Sequence, residues 1–147
     1  MALDITDTGL SFHPQGGSGV NLLNDYEEGE WQPSHGTFTF NIADGNYTKI
    51  GQLVHAAGKV TFSNSSTNSS AWGGSPFTAL NVSHFCGNVM WLNVAPASSV
   101  IQSTTRMQSN NTTYTFYGSK HNSNWDDSLT SNSTDQLVWD MTFYTNS

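Results

Sequence analysis

The segment "LLNDYEEGEWQP", residues 22–33, places Asp25, Glu27, Glu28 and Glu30 within six positions, in a chain of which only 10% is charged. Two carboxyls facing each other across a sugar can cleave a glycosidic bond, one as acid and the other as base or nucleophile. Asp126, Asp127, Asp135 and Asp140 are the acids that a fold would have to bring opposite this cluster. The alternative is a set of solvated carboxylates marking the entrance to a domain. As a Ca²⁺ site the cluster lacks the alternating spacing and turn glycine of an EF-hand loop, so no metal is expected there. His13, His35, His55, His84 and His121 show neither His-X-X-X-His nor His-X-His spacing, so no zinc site is encoded locally. Three copies of one histidine on a trimer axis remain an open arrangement. Without a Gly-X-Ser-X-Gly elbow, a P-loop or a dinucleotide fingerprint, no cofactor is expected and a non-enzymatic role is favoured.

Aromatic rings offer the other chemistry. They stack on sugars while neighbouring amides, carboxylates and hydroxyls bond the sugar hydroxyls. Trp91 and Trp139 lie inside strand patterns and are expected in the core. Trp72 in "SSAWGGSP" and Trp125 in "HNSNWDDS" lie in polar loops, where an exposed indole suggests binding. With Tyr117, His121 and Asp126 they form the candidate ligand site.

These groups need elements to position them, and the composition narrows the choice. The 147 residues suffice for one domain burying roughly 68–70% of its unfolded surface. The formal charge is −7, with Lys49, Lys59, Arg106 and Lys120 the cations, so no basic stripe exists to neutralise nucleic-acid phosphates. Cys86 is the single cysteine. That excludes an intrachain disulfide framework, and its expected role is a small buried hydrophobe. No run approaches the ~20 apolar residues of a membrane span, and "MALDITDTGL" lacks the basic and apolar regions of a signal peptide, so neither membrane insertion nor ordinary export is expected.

Periodicity predicts strands almost throughout. Phe38, Phe40 and Ile42 alternate with Thr37, Thr39 and Asn41, the pattern of a strand with one buried face. Asp44-Gly45 has the composition of a turn between two strands. Tyr47 to Ile50 and Gln52 to Phe62 read as further strands, with Gly51 and Gly58 at a bulge or a close approach. Residues 63–75 read as a polar loop, followed by strand signals in "FTAL", "HFCGNVMWLNVA", "SSVIQSTTRMQ", "TTYTFYGS" and "DQLVWDMTFYT". The predicted fold is all-β, a β-sandwich of jelly-roll type over residues 25–147. Residues 1–24 form an extended N-terminal arm or neck, with Leu3, Ile5, Leu10 and Phe12 as its alternating apolar positions.

"LNDYEEGEWQP", then "YTKIGQLV" and "SPFTALN", resembles a module of bacteriophage tail fibres and related virion proteins, where the pattern is approximately "LDDYEEGTWTP", "YTKIGNLV" and "GLPFTA". The preceding "ITDTGLSFHPQ" resembles the repeat that leads into that module. The resemblance implies a β-sandwich head on a trimeric neck, exposed on the virion and meeting the host surface. It makes Asp25, Tyr26, Glu27, Glu28 and Trp31 the neck-head join, with Trp31 covering the bottom of the core and the acids facing solvent or a subunit boundary. Asn24 and Glu30 stand where the common pattern has Asp and Thr, which alters local charge pairing. The expected partners are two further copies of the chain, other tail or capsid proteins, and a host-surface glycan. The expected role is host-receptor adhesion. Two alternatives remain open: a capsid decoration protein or head fibre docking through residues 1–24, and the carbohydrate-binding module of a secreted hydrolase.

Overall fold

The computed structural model describes residues 2–6, 9–13, 26–68, 70–81, 85–92, 100–120 and 129–146, and every regular element among them is a strand. In chain order these are β1 (Ala2–Thr6), β2 (Gly9–His13), β3 (Tyr26–Trp31), β4 (Phe40–Ile50), β5 (Leu53–Phe62), β6 (Ser66–Asn68), β7 (Phe85–Leu92), β8 (Val100–Met107), β9 (Tyr114–Lys120), β10 (Leu129–Ser131) and β11 (Gln136–Tyr144). Seven of them form one sheet in the order β3-β4-β5-β11-β7-β8-β9, while β1 pairs with β2 and β6 with β10. All pairings are antiparallel. The run β11-β7-β8-β9 has the spatial order of a Greek key: three consecutive strands, with a later one returning beside the first.

The all-β, antiparallel architecture is consistent with a β-sandwich, and β7 shows how the sheet changes partners. Phe85 to Asn88 pair with β8, whereas Val89 to Leu92 pair with β11. Gly87 sits at this transfer, where a Cβ would collide with the backbone carbonyl of Asp140. The two outermost strands are laced together by residues 72–73. Gly73 exchanges backbone hydrogen bonds with Ser34 beyond the end of β3, and Trp72 exchanges them with Tyr114 of β9. Trp72 is therefore carried into the interior, 2% exposed. It packs against the rings of Phe38, Phe62, Tyr114, Phe116 and Trp139 with centroids 5.1–6.3 Å away. The polar sequence around it predicts exposure; the two-sided backbone pairing overrides that composition.

Four further sequence expectations are corrected. Asp44-Gly45 is not a turn but the middle of β4, and the hairpin turns at Gly51-Gln52 between the paired Ile50 and Leu53. Gly51 has φ +58° while Gln52 does not have positive φ, the arrangement of a type II′ turn. Ile42 is 39% exposed, because a bulge between Phe40 and Ile42 shifts the register and reverses the faces beyond it. Cys86 is exposed, since β7 turns Phe85, Gly87, Val89 and Trp91 toward the core and the residues between them outward. "FTAL" forms no strand; only Ala79 bridges, to Thr145.

Gly45 owes its place to packing. Trp31, Gly45, Gly58 and Trp139 are successive register partners across β3, β4, β5 and β11. The indole of Trp31 lies over Gly45 and that of Trp139 over Gly58, each in the space a Cβ would fill. The two rings meet edge to face at 6.1 Å, a favoured aromatic geometry. Trp31 Nε1 donates to the carbonyls of Asn46 at 3.3 Å and Ala57 at 3.1 Å, so its polar edge is satisfied inside the core.

Before the head, β1 and β2 pair in a hairpin that opposes Leu3 to Phe12 and Ile5 to Leu10 in register. This stretch thus doubles back rather than running as one extended arm.

Candidate functional site

β3 carries the motif that dominates the sequence. Its pleat sends Gly29 and Trp31 to the core side and Tyr26, Glu28 and Glu30 to the opposite face. Glu27, Glu28 and Glu30 are all exposed. Glu27 accepts from the Tyr47 hydroxyl at 2.7 Å, and Glu28 accepts from the Tyr26 hydroxyl at the same distance. Each carboxylate bond holds its phenol above the ordinary tyrosine value. Glu28 and Glu30 edge a recess of about 380 Å³ with Gly29, Asn46, Tyr47 and Thr48. They stand side by side on one strand, whereas glycoside cleavage requires carboxyls on opposite sides of the bond. Asp135 is buried and accepts from the Asn132 backbone at 2.7 Å; it braces a turn. Asp140 receives the backbone and side-chain N–H groups of Asn88. Asp25 and Asp127 lie outside the described residues.

Beside this motif is a surface that sequence reasoning missed. Tyr26, Ile50, Leu53 and Tyr144 are consecutive register partners across β3, β4, β5 and β11. Their exposures are 53%, 50%, 40% and 49%. They form one apolar row at the end of the sheet where the chain enters the head. Only the register reveals it, because the four residues come from three separate stretches of sequence.

Of the predicted ligand site, Trp72 belongs to the core and is removed from the surface. Trp125, His121 and Asp126 lie outside the described residues. Tyr117 remains, on the outward face of β9 opposite Thr104. The structure adds Arg106, whose guanidinium lies over the Tyr117 ring at 4.5 Å from its centre. Cys86, Thr104, Arg106 and Tyr117 line a recess of about 290 Å³. The Arg106 Nε is buried without a hydrogen-bond partner, and the Thr104 hydroxyl donates to the Gly87 carbonyl at 2.7 Å. The signal for Arg106 is present in "TTRMQ": once Met107 is core, its neighbour must face outward.

His35 joins the loop before β4 to the core. Its Nδ1 accepts from the backbone N–H groups of Thr37 at 3.0 Å and Phe38 at 3.2 Å, leaving Nε2 to donate to the Ser70 carbonyl at 3.3 Å. Partial burial lowers its pKa, opposed by the Ser70 carbonyl.

Among the described residues, no group of three His, Cys, Asp or Glu is placed to hold a metal ion, and no helix is long and apolar enough to cross a membrane. Compared with protein-family models, curated proteins and solved structures, the chain matches none.

Proposed function

We propose that this chain is a bacteriophage virion surface structural protein of tail-fibre head type, a trimer of jelly-roll heads that acts as a non-enzymatic adhesin for host-surface glycans. The observation that carries the reading is the join. The residues that resemble the tail-fibre motif form the first strand of the head, where Trp31 plugs the core over Gly45 while the acids face solvent. The apolar row Tyr26, Ile50, Leu53 and Tyr144 lies at the start of that strand, at the opposite end from Trp31, where copies joined through their necks would meet.

Trimerisation would be part of the function. One shallow sugar site binds at only about 1 mM, about −4 kcal/mol. Three sites able to engage together raise avidity by roughly 10²–10⁴. The test is binding of the full chain to host cells and to a glycan array at high surface density, with its solution mass measured in parallel. Trimeric mass with dense-surface binding supports the reading, and no binding at any density refutes adhesion.

The second reading, capsid decoration, is favoured by the N-terminal hairpin, whose register pairs the apolar positions Leu3 with Phe12 and Ile5 with Leu10. In that case the arm and the row grip a shell and the head projects. Removing residues 1–24 separates the two: a decoration protein loses virion attachment, whereas an adhesin head still binds cells.

A further inference from the structure

We propose that the recess of Cys86, Thr104, Arg106 and Tyr117 is an oxyanion subsite that takes the carboxylate or phosphate of an acidic surface polysaccharide. The proposal rests on the adhesin reading and narrows its ligand to charged glycans.

Arg106 carries the argument. The chain has four Lys and Arg against eleven Asp and Glu, yet none of the described residues lining the recess with it is acidic. Lys59, by contrast, stands opposite Asp44 in register, and Lys49 is buried over the ring of Phe77. The guanidinium is oriented by the face of Tyr117, a cation–π contact that uses none of its N–H donors. With Nε buried and unpartnered, its terminal amino groups are left to meet a ligand. A planar guanidinium fixed in orientation suits carboxylate and phosphate oxygens.

The rest of the recess fits a sugar carrying that group. Thr104 uses its proton on Gly87, so its oxygen is left as an acceptor for a ligand hydroxyl. A volume of about 290 Å³ sits at the lower end of the range for small-molecule sites, the scale of one ring and not of an oligosaccharide. The chain's charge of −7 gives no long-range attraction for an anion, so recognition is local and per-site affinity is weak.

The experiment is an NMR titration of the full chain with sodium glucuronate, inorganic phosphate and, as a neutral control, glucose, following the Arg106 side-chain and Tyr117 ring signals. At least one anion is expected to shift both sets of signals and saturate in the range of about 1–10 mM, with glucose inert. The anion that saturates first identifies carboxylate or phosphate as the natural group. Arg106→Ala is expected to weaken binding by about tenfold or more, and Arg106→Lys, which keeps the charge without the fork, to fall between. Near-UV circular dichroism of both variants checks that the fold persists. The proposal is overturned if neither anion moves these signals by about 50 mM, or if Arg106→Ala and Arg106→Lys both bind as the natural chain does. Cell binding measured alongside separates the two readings. Adhesion without anion binding sinks the subsite alone; anion binding at Arg106 without adhesion supports the subsite and removes the adhesin reading.

Discussion

Gly45→Ala puts one methyl group where the indole of Trp31 lies, and its consequence can be worked from the geometry. The added Cβ would meet the pyrrole edge of the ring, Nε1 included. Trp31 is 6% exposed and bounded by Tyr114 and Trp139 at 6.0 and 6.1 Å, so it cannot retreat into the core without displacing those rings. Overpacking a core by one methylene-sized group costs about 1–3 kcal/mol. A tilted ring also lengthens its bonds to the Asn46 and Ala57 carbonyls, each worth about 0.5–1.5 kcal/mol net. The expected loss is about 2–4 kcal/mol, read as a lowered urea midpoint with an unchanged slope, followed by far-UV circular dichroism. Trp31→Phe shortens the ring and should absorb the methyl. The double variant is therefore expected to be more stable than the sum of the two single losses predicts, by about 1 kcal/mol or more. A Gly45→Ala loss below about 0.5 kcal/mol, or strict additivity with Trp31→Phe, would refute the claim that this glycine exists to seat the indole.

Three other outcomes follow from the same core. The Tyr114 hydroxyl is fully buried with no hydrogen-bond partner, and burial raises its pKa well above the ordinary value; Tyr114→Phe is expected to stabilise the chain by about 1 kcal/mol, seen as a higher thermal midpoint. Trp72→Ala is expected to lose about 3–5 kcal/mol of stability, and ligand binding retained in the fraction still folded would confirm that Trp72 is a core residue and not a contact. For His35 the folded pKa lies below the unfolded value of 6.5, so the unfolded chain binds more protons between those two values. The stability His35 contributes is complete above about pH 6.5 and falls as pH drops toward its folded pKa. His35→Asn, which keeps an acceptor for the Thr37 and Phe38 N–H groups, is expected to flatten that acid-side slope in a series of urea titrations; an unchanged slope would place the titration elsewhere.

Much of the fold is legible because strand alternation is local. In β11, Leu137, Trp139, Met141 and Phe143 are buried while the residues between them are not, and the sequence "QLVWDMTFY" states that pattern outright. β5 alternates in the same way up to Val60, before Thr61 and Phe62 are both buried. What failed depended on distant partners. Asp44-Gly45 has turn composition, but its glycine answers to an indole on the neighbouring strand. Trp72 sits among serines and glycines, and only bridges to Ser34 and Tyr114 draw it inside. Asn41 at the bulge is indistinguishable from any strand residue until its partner strand is in place. The pairing of β6 with β10 joins residues more than sixty positions apart, and no local signal marks it.

The site was legible in the same uneven way. The "DYEEGEW" motif announces itself by its charge density, and alternation separates Glu28 and Glu30 from the inward Trp31, whereas Glu27 shares the parity of Trp31 and is exposed all the same. Tyr117 could be named as a surface aromatic, but Arg106 gains meaning only when β8 and β9 lie side by side. The apolar row needs three successive strand registers before its four residues become one surface.

The central claim is that this head stands at the host-facing tip of a virion. A tag on Ser147, imaged by electron microscopy on intact particles, tests it most directly. Density at the tail tip is the predicted result. Density distributed over the capsid shell would contradict adhesion and leave decoration as the function.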